Sequence, residues 1–174
     1  MKFTVKDITS IGLFAGITAI LSQIFIYLPI TPVPITLQVP AVVLSGAISG
    51  KKNGVLSQVI YILMGIIGLP VYSGFKSGLG VLLGPNGGYI TSFPIAAFLV
   101  GFVIMKIKRK GYFLIFTAML SGLICIYIIG AIWLSISQDI FVLKAFTLGA
   151  GVFLPLDIVK ISAAAYVAKR IFRW

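Results

Sequence analysis

The sequence predicts an all-α integral membrane protein, a single bundle of six transmembrane helices with both termini in the cytoplasm. Two observations lead to this fold class. Of the 174 residues, 60% are hydrophobic and 10% are charged, whereas a soluble domain carries about 25% charged residues. The charges are also clustered, because residues 8–50, 53–75, 77–105 and 111–138 contain none. Each of these runs can hold a membrane-crossing helix of about 20 residues.

Prolines and charges divide the chain into helices. Pro29, Pro32 and Pro34 interrupt the first charge-free run, because proline cannot continue a helix, so this run holds two helices. Residues 1–174 then form one transmembrane domain, since six helices of this length leave no room for a second domain. We expect helix 1 from about Asp7 to Leu28, helix 2 from Val39 to Ser49, helix 3 from Gly54 to Leu69, helices 4 and 5 within 77–105 and 111–138, and helix 6 from Pro155 to Phe172.

Basic residues lie mainly on one side of the predicted bundle. The two chain ends and the loops near residues 51–52 and 106–110 hold eleven of the 14 Lys and Arg. The opposite side has only Lys76 and Lys144, and Lys160 lies within helix 6. By the positive-inside rule, the basic side is cytoplasmic. This topology and attraction to anionic membrane lipid account for the net charge of +11, so no nucleic-acid partner is expected.

The chain offers few groups for catalysis. It contains no His and no Glu, and its one cysteine, Cys125, lies within helix 5. No metal site, cofactor or disulfide is therefore predicted. The apolar run from Ile8 to Leu28 is longer than a signal-peptide core, so we expect it to be retained. A protein that binds or transports a molecule is favoured over the alternative, a small membrane enzyme that acts on lipid.

Asp157 and Lys160 are the strongest candidates for a functional site. They are three residues apart, hence on one face of helix 6, in an otherwise apolar segment. Pro155 suits the first helical position, which places Asp157 in the first turn, where the helix dipole favours a carboxylate. Ionisable groups within a membrane are costly and usually functional. The alternative is a structural ion pair that only holds the bundle together.

Three segments on the outer side are nearly uncharged and rich in Gly, Pro and aromatic residues: 29–38, 70–89 and 135–154. We expect them to fold over a cavity, because exposed loops of this composition would leave apolar surface in water. Within them, the loop 83–89 offers Asn86 as donor and acceptor, Gly88 for close backbone approach, and Tyr89 as an aromatic face. A plain tight turn is an equally good interpretation of this loop.

Other residues admit two interpretations each. The stiff segment 31–38, which ends at Gln38, is either a connector or part of the site. Trp133 is more typical of an interface anchor than of a ligand contact. Ala15 and Ala19 belong to a stripe of small residues on helix 1, which suits either internal packing or contact with a partner helix.

Five motifs in order along the chain resemble those of the BioY family, the biotin-binding S components of energy-coupling factor (ECF) transporters. They are Pro32-Val-Pro-Ile-Thr-Leu-Gln38, Gly68-Leu-Pro-Val71, Gly84-Pro-Asn-Gly-Gly-Tyr89, Tyr127-x-x-Gly130-x-x-Trp133 and Phe153-Leu-Pro-x-Asp157-x-x-Lys160. Two positions depart from the family pattern: Asn86 stands where Thr is frequent, and Leu156 where Gly is frequent.

The resemblance implies a non-enzymatic S component in the bacterial cell membrane. It would capture biotin and work with a transmembrane scaffold subunit and two ATP-binding subunits. An Ala-x-x-x-Ala contact with the scaffold would use Ala15 and Ala19, which shifts the interpretation of that stripe toward a partner surface. An S component for a different vitamin is the alternative within this class. The expected ligand contacts are Asp157, Lys160, Asn86, Gly88, Tyr89, Gln38 and Trp133.

Overall fold

The structure is a computed structural model that describes residues 3–106 and 111–172. Lys2, Lys108, Arg109, Lys110 and Arg173, five of the residues used to predict the topology, lie outside these ranges. The elements in chain order are α1 (Val5–Ser22), β1 (Phe25–Ile26), β2 (Ile35–Thr36), α2 (Gln38–Ile66), α3 (Leu79–Leu83), α4 (Gly87–Lys106), α5 (Tyr112–Gln138), α6 (Val142–Phe146), a π-helical turn (Thr147–Gly151) and α7 (Leu154–Ile171).

Helix α1 is shorter than predicted. It begins at a capping box formed by Thr4 and Asp7, and it ends at Ser22 rather than at Leu28. The chain then becomes extended, and β1 pairs antiparallel with β2. Polar groups fix this end of the helix, because Ser22 Oγ donates to Val71 O at 2.5 Å and Gln23 Nε2 donates to Tyr72 O at 3.1 Å. The proline-rich segment 29–34 therefore closes a small β-hairpin.

Helix α2 is a hairpin of two antiparallel arms, 38–49 and 51–66. The chain reverses at Gly50, which has a φ of +76° and a ψ of 171°. A Cβ at Gly54 would lie 2.8 Å from Gly46 Cα, so the arms touch backbone to backbone. Further from the turn, Gln38 Nε2 donates to Tyr61 Oη at 2.5 Å. The two arms correspond to the predicted helices 2 and 3, with glycine at the positive-φ position that the reversal requires.

The count of six membrane spans stays a prediction. Within the described residues, three helices are long and apolar enough to cross a membrane: α1, α4 and α5. The bent pair formed by 142–151 and α7, with 47° between its parts, gives a fourth if it is one span. Each arm of α2 is shorter than the 18 residues of α1. The cytoplasmic placement of the termini likewise stays a prediction.

The core joins both arms of α2 with α4, α5 and α7, and it includes Val42, Tyr61, Phe93, Leu123 and Ile161. The three outer segments lie at one end of this core, and residues from all three line one cavity, as predicted. The predicted loop 83–89 is also partly wrong, because Gly87 begins α4. Gly88 and Tyr89 therefore lie in the first turn of a helix and not in a loop.

Candidate functional site

The cavity lies between the β-hairpin, the segment 72–86 and helices α4, α5 and α7. The cavity is a partly open cleft, and residues from several separate elements converge on it. Most of its walls are apolar or aromatic, and a few polar groups converge on it. The lining residues are Val33, Pro34, Ile35, Thr36, Gln38, Val39, Tyr72, Ser73, Lys76, Val81, Asn86, Tyr89, Ile90, Phe93, Ile126, Tyr127, Phe153, Asp157 and Lys160.

An ion pair between Asp157 and Lys160 forms one wall of the cavity. Pro155 lies at the start of α7 and leaves Asp157 in the first helical turn, as the sequence predicts. Asp157 Oδ1 pairs with Lys160 Nζ, and Asp157 Oδ2 accepts a hydrogen bond of 2.6 Å from Tyr127 Oη. Lys160 Nζ also donates to Thr36 O at 2.8 Å. The pair therefore connects α7 with α5 and with the β-hairpin.

Burial makes this pair energetically sensitive. Asp157 is 4% exposed, so its carboxylate depends on its partners for the interactions that water would otherwise provide. Removing one member of a buried pair leaves an uncompensated charge and costs about 3–5 kcal/mol. The pair is electrically neutral as a unit. It can receive a neutral polar group that both accepts and donates hydrogen bonds without adding net charge to the interior.

Asn86 and Gln38 both line the cavity, but their hydrogen bonding differs. Asn86 Oδ1 is buried and has no hydrogen-bond partner among the described residues. Such an unused acceptor is costly unless a ligand or water donates to it. Gln38 donates to Tyr61 Oη and accepts from Thr36 Oγ1 at 3.1 Å. Asn86 is therefore the freer of the two to bind a ligand.

Tyr89 and Tyr72 present rings to the cavity while their hydroxyls are held elsewhere. Tyr89 Oη donates to Gly149 O at 3.0 Å, and its ring packs so closely on Gly130 that a Cβ there would lie 2.3 Å from it. Tyr72 Oη donates to Ile62 O at 2.9 Å. Burial raises the pKa of Tyr72 to about 12, so this hydroxyl stays protonated at neutral pH.

Gly88 and Trp133 are not among the residues that line the cavity. Trp133 Nε1 donates to Gly84 O at 2.9 Å, which fastens the turn before α4 to α5. A Cβ at Gly88 would lie 2.2 Å from Trp133 Cβ. The two residues pack against each other and hold the start of α4, where Asn86 and Tyr89 point into the cavity.

Ala15 and Ala19 differ in their accessibility. Ala15 is 1% exposed and belongs to the core of the protein, whereas Ala19 is half-buried. Only Ala19 leaves part of its surface open to a partner. On the neighbouring face of α1, a Cβ at Gly12 or Gly16 would meet nothing within 4 Å.

Sequence reasoning missed several residues that line the cavity. Tyr127 was recognised within a motif but not as the partner of Asp157, from which it is 30 residues distant. Lys76 counted only as a charge on the outer side, yet it lies at the cavity mouth with its Nζ 5.5 Å from the centre of the Tyr27 ring. Phe93 and Phe153 also line the cavity. For Phe153 the aromatic content of the outer segments was the available signal, whereas Phe93 and Tyr127 lie within helices α4 and α5 and had no such signal.

A buried ion pair beside an apolar cavity, within a bundle of apolar helices, defines a membrane protein that binds a small molecule. The sequence matches the model of the BioY family over residues 1–174. The chain belongs to the BioY family.

Relatives and a solved structure agree with this assignment. The chain is 40% identical over 166 residues to "Probable biotin transporter BioY" of Pyrococcus horikoshii, covering 95% of this chain and 96% of the relative. It is 36% identical over 167 residues to "Biotin transporter BioY" of Thermotoga maritima, covering 95% of both. The crystal structure of the S-component for biotin from an ECF-type ABC transporter matches with a TM-score of 0.93 at 30% identity, over 99% of this chain and 96% of that chain.

Proposed function

We propose that this protein is the biotin-binding S subunit of an ECF-type ABC transporter and has no catalytic activity of its own. The family is one of transporters and not of enzymes. The observation that carries the proposal is the Asp157–Lys160 pair in the wall of a largely apolar cavity. Biotin combines an apolar sulfur-containing ring system with a ureido group and a carboxylate, so it matches a cavity with apolar walls and few polar groups.

The charges of the cavity favour one orientation of biotin. From the sequence, Lys160 was expected to pair with the biotin carboxylate and Asp157 to accept from a ureido N–H, with an exchange of the two roles left open; the structure leads us to propose a different orientation. Because the pair is neutral, a carboxylate bound beside it would add an uncompensated charge to the interior. The neutral ureido group fits there, with an N–H donating to Asp157, the C=O accepting from Lys160, and Asn86 Oδ1 available as a second acceptor. The carboxylate would then lie near Lys76, which is exposed at the mouth.

We further propose that residues 1–174 form one substrate-binding domain with six spans in the cell membrane and both termini in the cytoplasm. The arms of α2 would supply the second and third spans, and α7 with the turns before it the sixth. The distribution of charge supports this topology, since Lys51, Lys52 and Lys106 lie at the end of the bundle opposite to Lys76 and the cavity. The cavity would then open outward.

The proposed partners are a transmembrane scaffold subunit and two ATP-binding subunits, together with membrane lipid. The solved relative is described as a component of an ECF-type ABC transporter, which supports such an assembly. Ala19 and the open face of α1 around Gly12 and Gly16 are accessible to a scaffold helix, and small residues permit the close approach that helices need in lipid. Ala15 would support this surface from inside.

The orientation can be tested by pairing variants with altered ligands. Purified protein is titrated with biotin and with biotin methyl ester, which lacks the negative charge. We expect Lys76→Gln to weaken biotin binding about twofold to fivefold, as for one partly exposed ion pair, and to leave binding of the ester unaffected. Asn86→Ala should weaken both ligands equally. If neither ligand binds the native protein, or other vitamins bind better, the assignment to biotin is wrong. If Lys76→Gln weakens both ligands alike, only the orientation is wrong.

A further inference from the structure

Two lysines share one aromatic ring at the end of the bundle opposite the cavity. Lys51 Nζ lies 5.7 Å and Lys106 Nζ 4.2 Å from the centre of the Phe102 ring. The backbone fixes this arrangement, because a Cβ at Gly101 would lie 2.4 Å from Lys51 N. Helix α4 is thus packed directly against the turn of the α2 hairpin. Tertiary packing therefore brings both ammonium groups to the same ring, although the two lysines are far apart in the sequence.

Within the described residues, no carboxylate forms an ion pair with these two lysines. The whole sequence has three Asp and no Glu. Asp157 lies in the cavity, and Asp139 follows α5 at the far end of the bundle. Asp7 is near this end, but its carboxylate accepts from Asn53 Nδ2 at 2.7 Å and from Thr4 Oγ1 at 2.7 Å. Two like charges around one ring, without an acidic partner among the described residues, indicate a site for an external anion.

The surface next to this pair is apolar and aromatic. Phe102 stacks on Phe98 with ring centres 5.9 Å apart, and the two side chains are 36% and 43% exposed. Helix α4 is one of the helices long and apolar enough to span a membrane, and Lys106 is its last residue. In the proposed topology the lysines would lie where the hydrocarbon core meets the headgroups, and the exposed phenylalanine rings would face the acyl chains. Basic pockets between helices at this level suit anionic lipid headgroups.

We propose that Lys51, Lys106 and Phe102 form a binding site for one anionic phospholipid. The phosphate of the headgroup would accept hydrogen bonds from both ammonium groups, and an acyl chain would lie along Phe102 and Phe98. A lipid fits better than free phosphate, because the exposed rings offer apolar contact that a small anion cannot use. The site is distinct from the biotin cavity and would fasten the turn of the α2 hairpin to the end of α4.

The test compares lipid retention by the full-length protein in detergent, measured by native mass spectrometry. The probes are dioleoyl phosphatidylglycerol, dioleoyl phosphatidylcholine and inorganic phosphate. The variant Lys51→Gln with Lys106→Gln removes the pair. Its matched control, Lys6→Gln with Lys169→Gln, removes two positive charges elsewhere on the predicted cytoplasmic side. The variant Lys51→Arg with Lys106→Arg retains the charge, and melting temperatures show whether each protein is folded.

The native protein should retain one phosphatidylglycerol in preference to phosphatidylcholine. Loss of both lysines should weaken this binding roughly tenfold to thirtyfold, as expected for two basic contacts at a membrane surface. The matched control should change it less than about twofold, and the arginine variant should retain it. If the double variant and its control lose the same amount of phosphatidylglycerol binding, the lipid is held by the overall positive charge of this side and not by a site, which would overturn the proposal. Competition by millimolar inorganic phosphate, or equal retention of both lipids, would also overturn it.

Discussion

The Asp157–Lys160 pair allows the binding role to be separated from a purely structural one. Lys160→Met keeps most of the side-chain volume but removes the charge, and it leaves Asp157 at 4% exposure with Tyr127 as its remaining donor. An uncompensated buried carboxylate costs about 3–5 kcal/mol. The lost hydrogen bond to Thr36 O adds about 1–3 kcal/mol if that carbonyl finds no other partner. We therefore expect Lys160→Met to lower the melting temperature strongly.

The double variant Asp157→Asn with Lys160→Met should regain the part of the stability that the unpaired charge removed. An asparagine at position 157 can still accept from Tyr127 Oη through its amide oxygen. Its buried NH2 group and Thr36 O would both lack a partner, so we expect the recovery of stability to be partial. Binding should respond differently. Each charge-assisted hydrogen bond to biotin contributes about 1.5–3 kcal/mol, so each single change should weaken binding roughly tenfold to a hundredfold. The double variant should bind more weakly than either single variant.

Thermal unfolding and calorimetric titration with biotin, on all four proteins in the same detergent, measure the two effects independently. Tyr127→Phe is a useful control, because it removes a donor to Asp157 without changing any charge. If the pair binds biotin, the double variant should regain thermal stability without regaining affinity for biotin. A double variant that binds biotin as tightly as the native protein would falsify the assignment of these residues to the site, since the pair would then serve packing alone.

Three further predictions concern the rest of the molecule. In a Cys125→Ser background, a cysteine at position 76 should react with a membrane-impermeant thiol reagent on intact cells, and a cysteine at position 52 should not. The reverse pattern would show that the predicted topology is inverted. Gly88→Ala should lower stability by about 1–3 kcal/mol because its Cβ would meet Trp133, whereas Gly12→Ala, with open space around it, should not; similar melting temperatures would contradict this packing. Ala19→Leu should reduce co-purification with the scaffold without weakening biotin binding; unchanged co-purification would place the partner surface elsewhere.

Local chemistry made much of this protein predictable. Charge-free runs and prolines were sufficient to locate most of the helices, because each determines the structure of its own stretch of chain. The spacing of Asp157 and Lys160, together with Pro155, was sufficient to put them on one face in the first turns of a helix. The glycine needed for the reversal in α2 also lies between the two predicted helices.

Features that depend on distant parts of the chain were not predictable in the same way. The early end of α1 reflects hydrogen bonds from Ser22 and Gln23 to the segment 70–76, which no local pattern indicates. The local sequence around Trp133 does not show whether its side chain contacts a ligand or packs against a glycine. Its contact with Gly88 arises only when α4 and α5 lie side by side. Lys76 likewise reaches the cavity mouth through the path of a long irregular segment.

The hydrogen bond from Lys160 to Thr36 O should form late in the folding of the protein. It joins residues 124 positions apart, whereas the hairpin of α2 closes through contacts such as Gln58 to Ser45, which are 13 positions apart. Contacts between near neighbours form early, and those that close long loops form late. Since chains emerge from the ribosome N-terminus first, the amino-terminal helices can pair while synthesis continues. The cavity acquires its charged wall only when α7, which follows the other described helices along the chain, is in place.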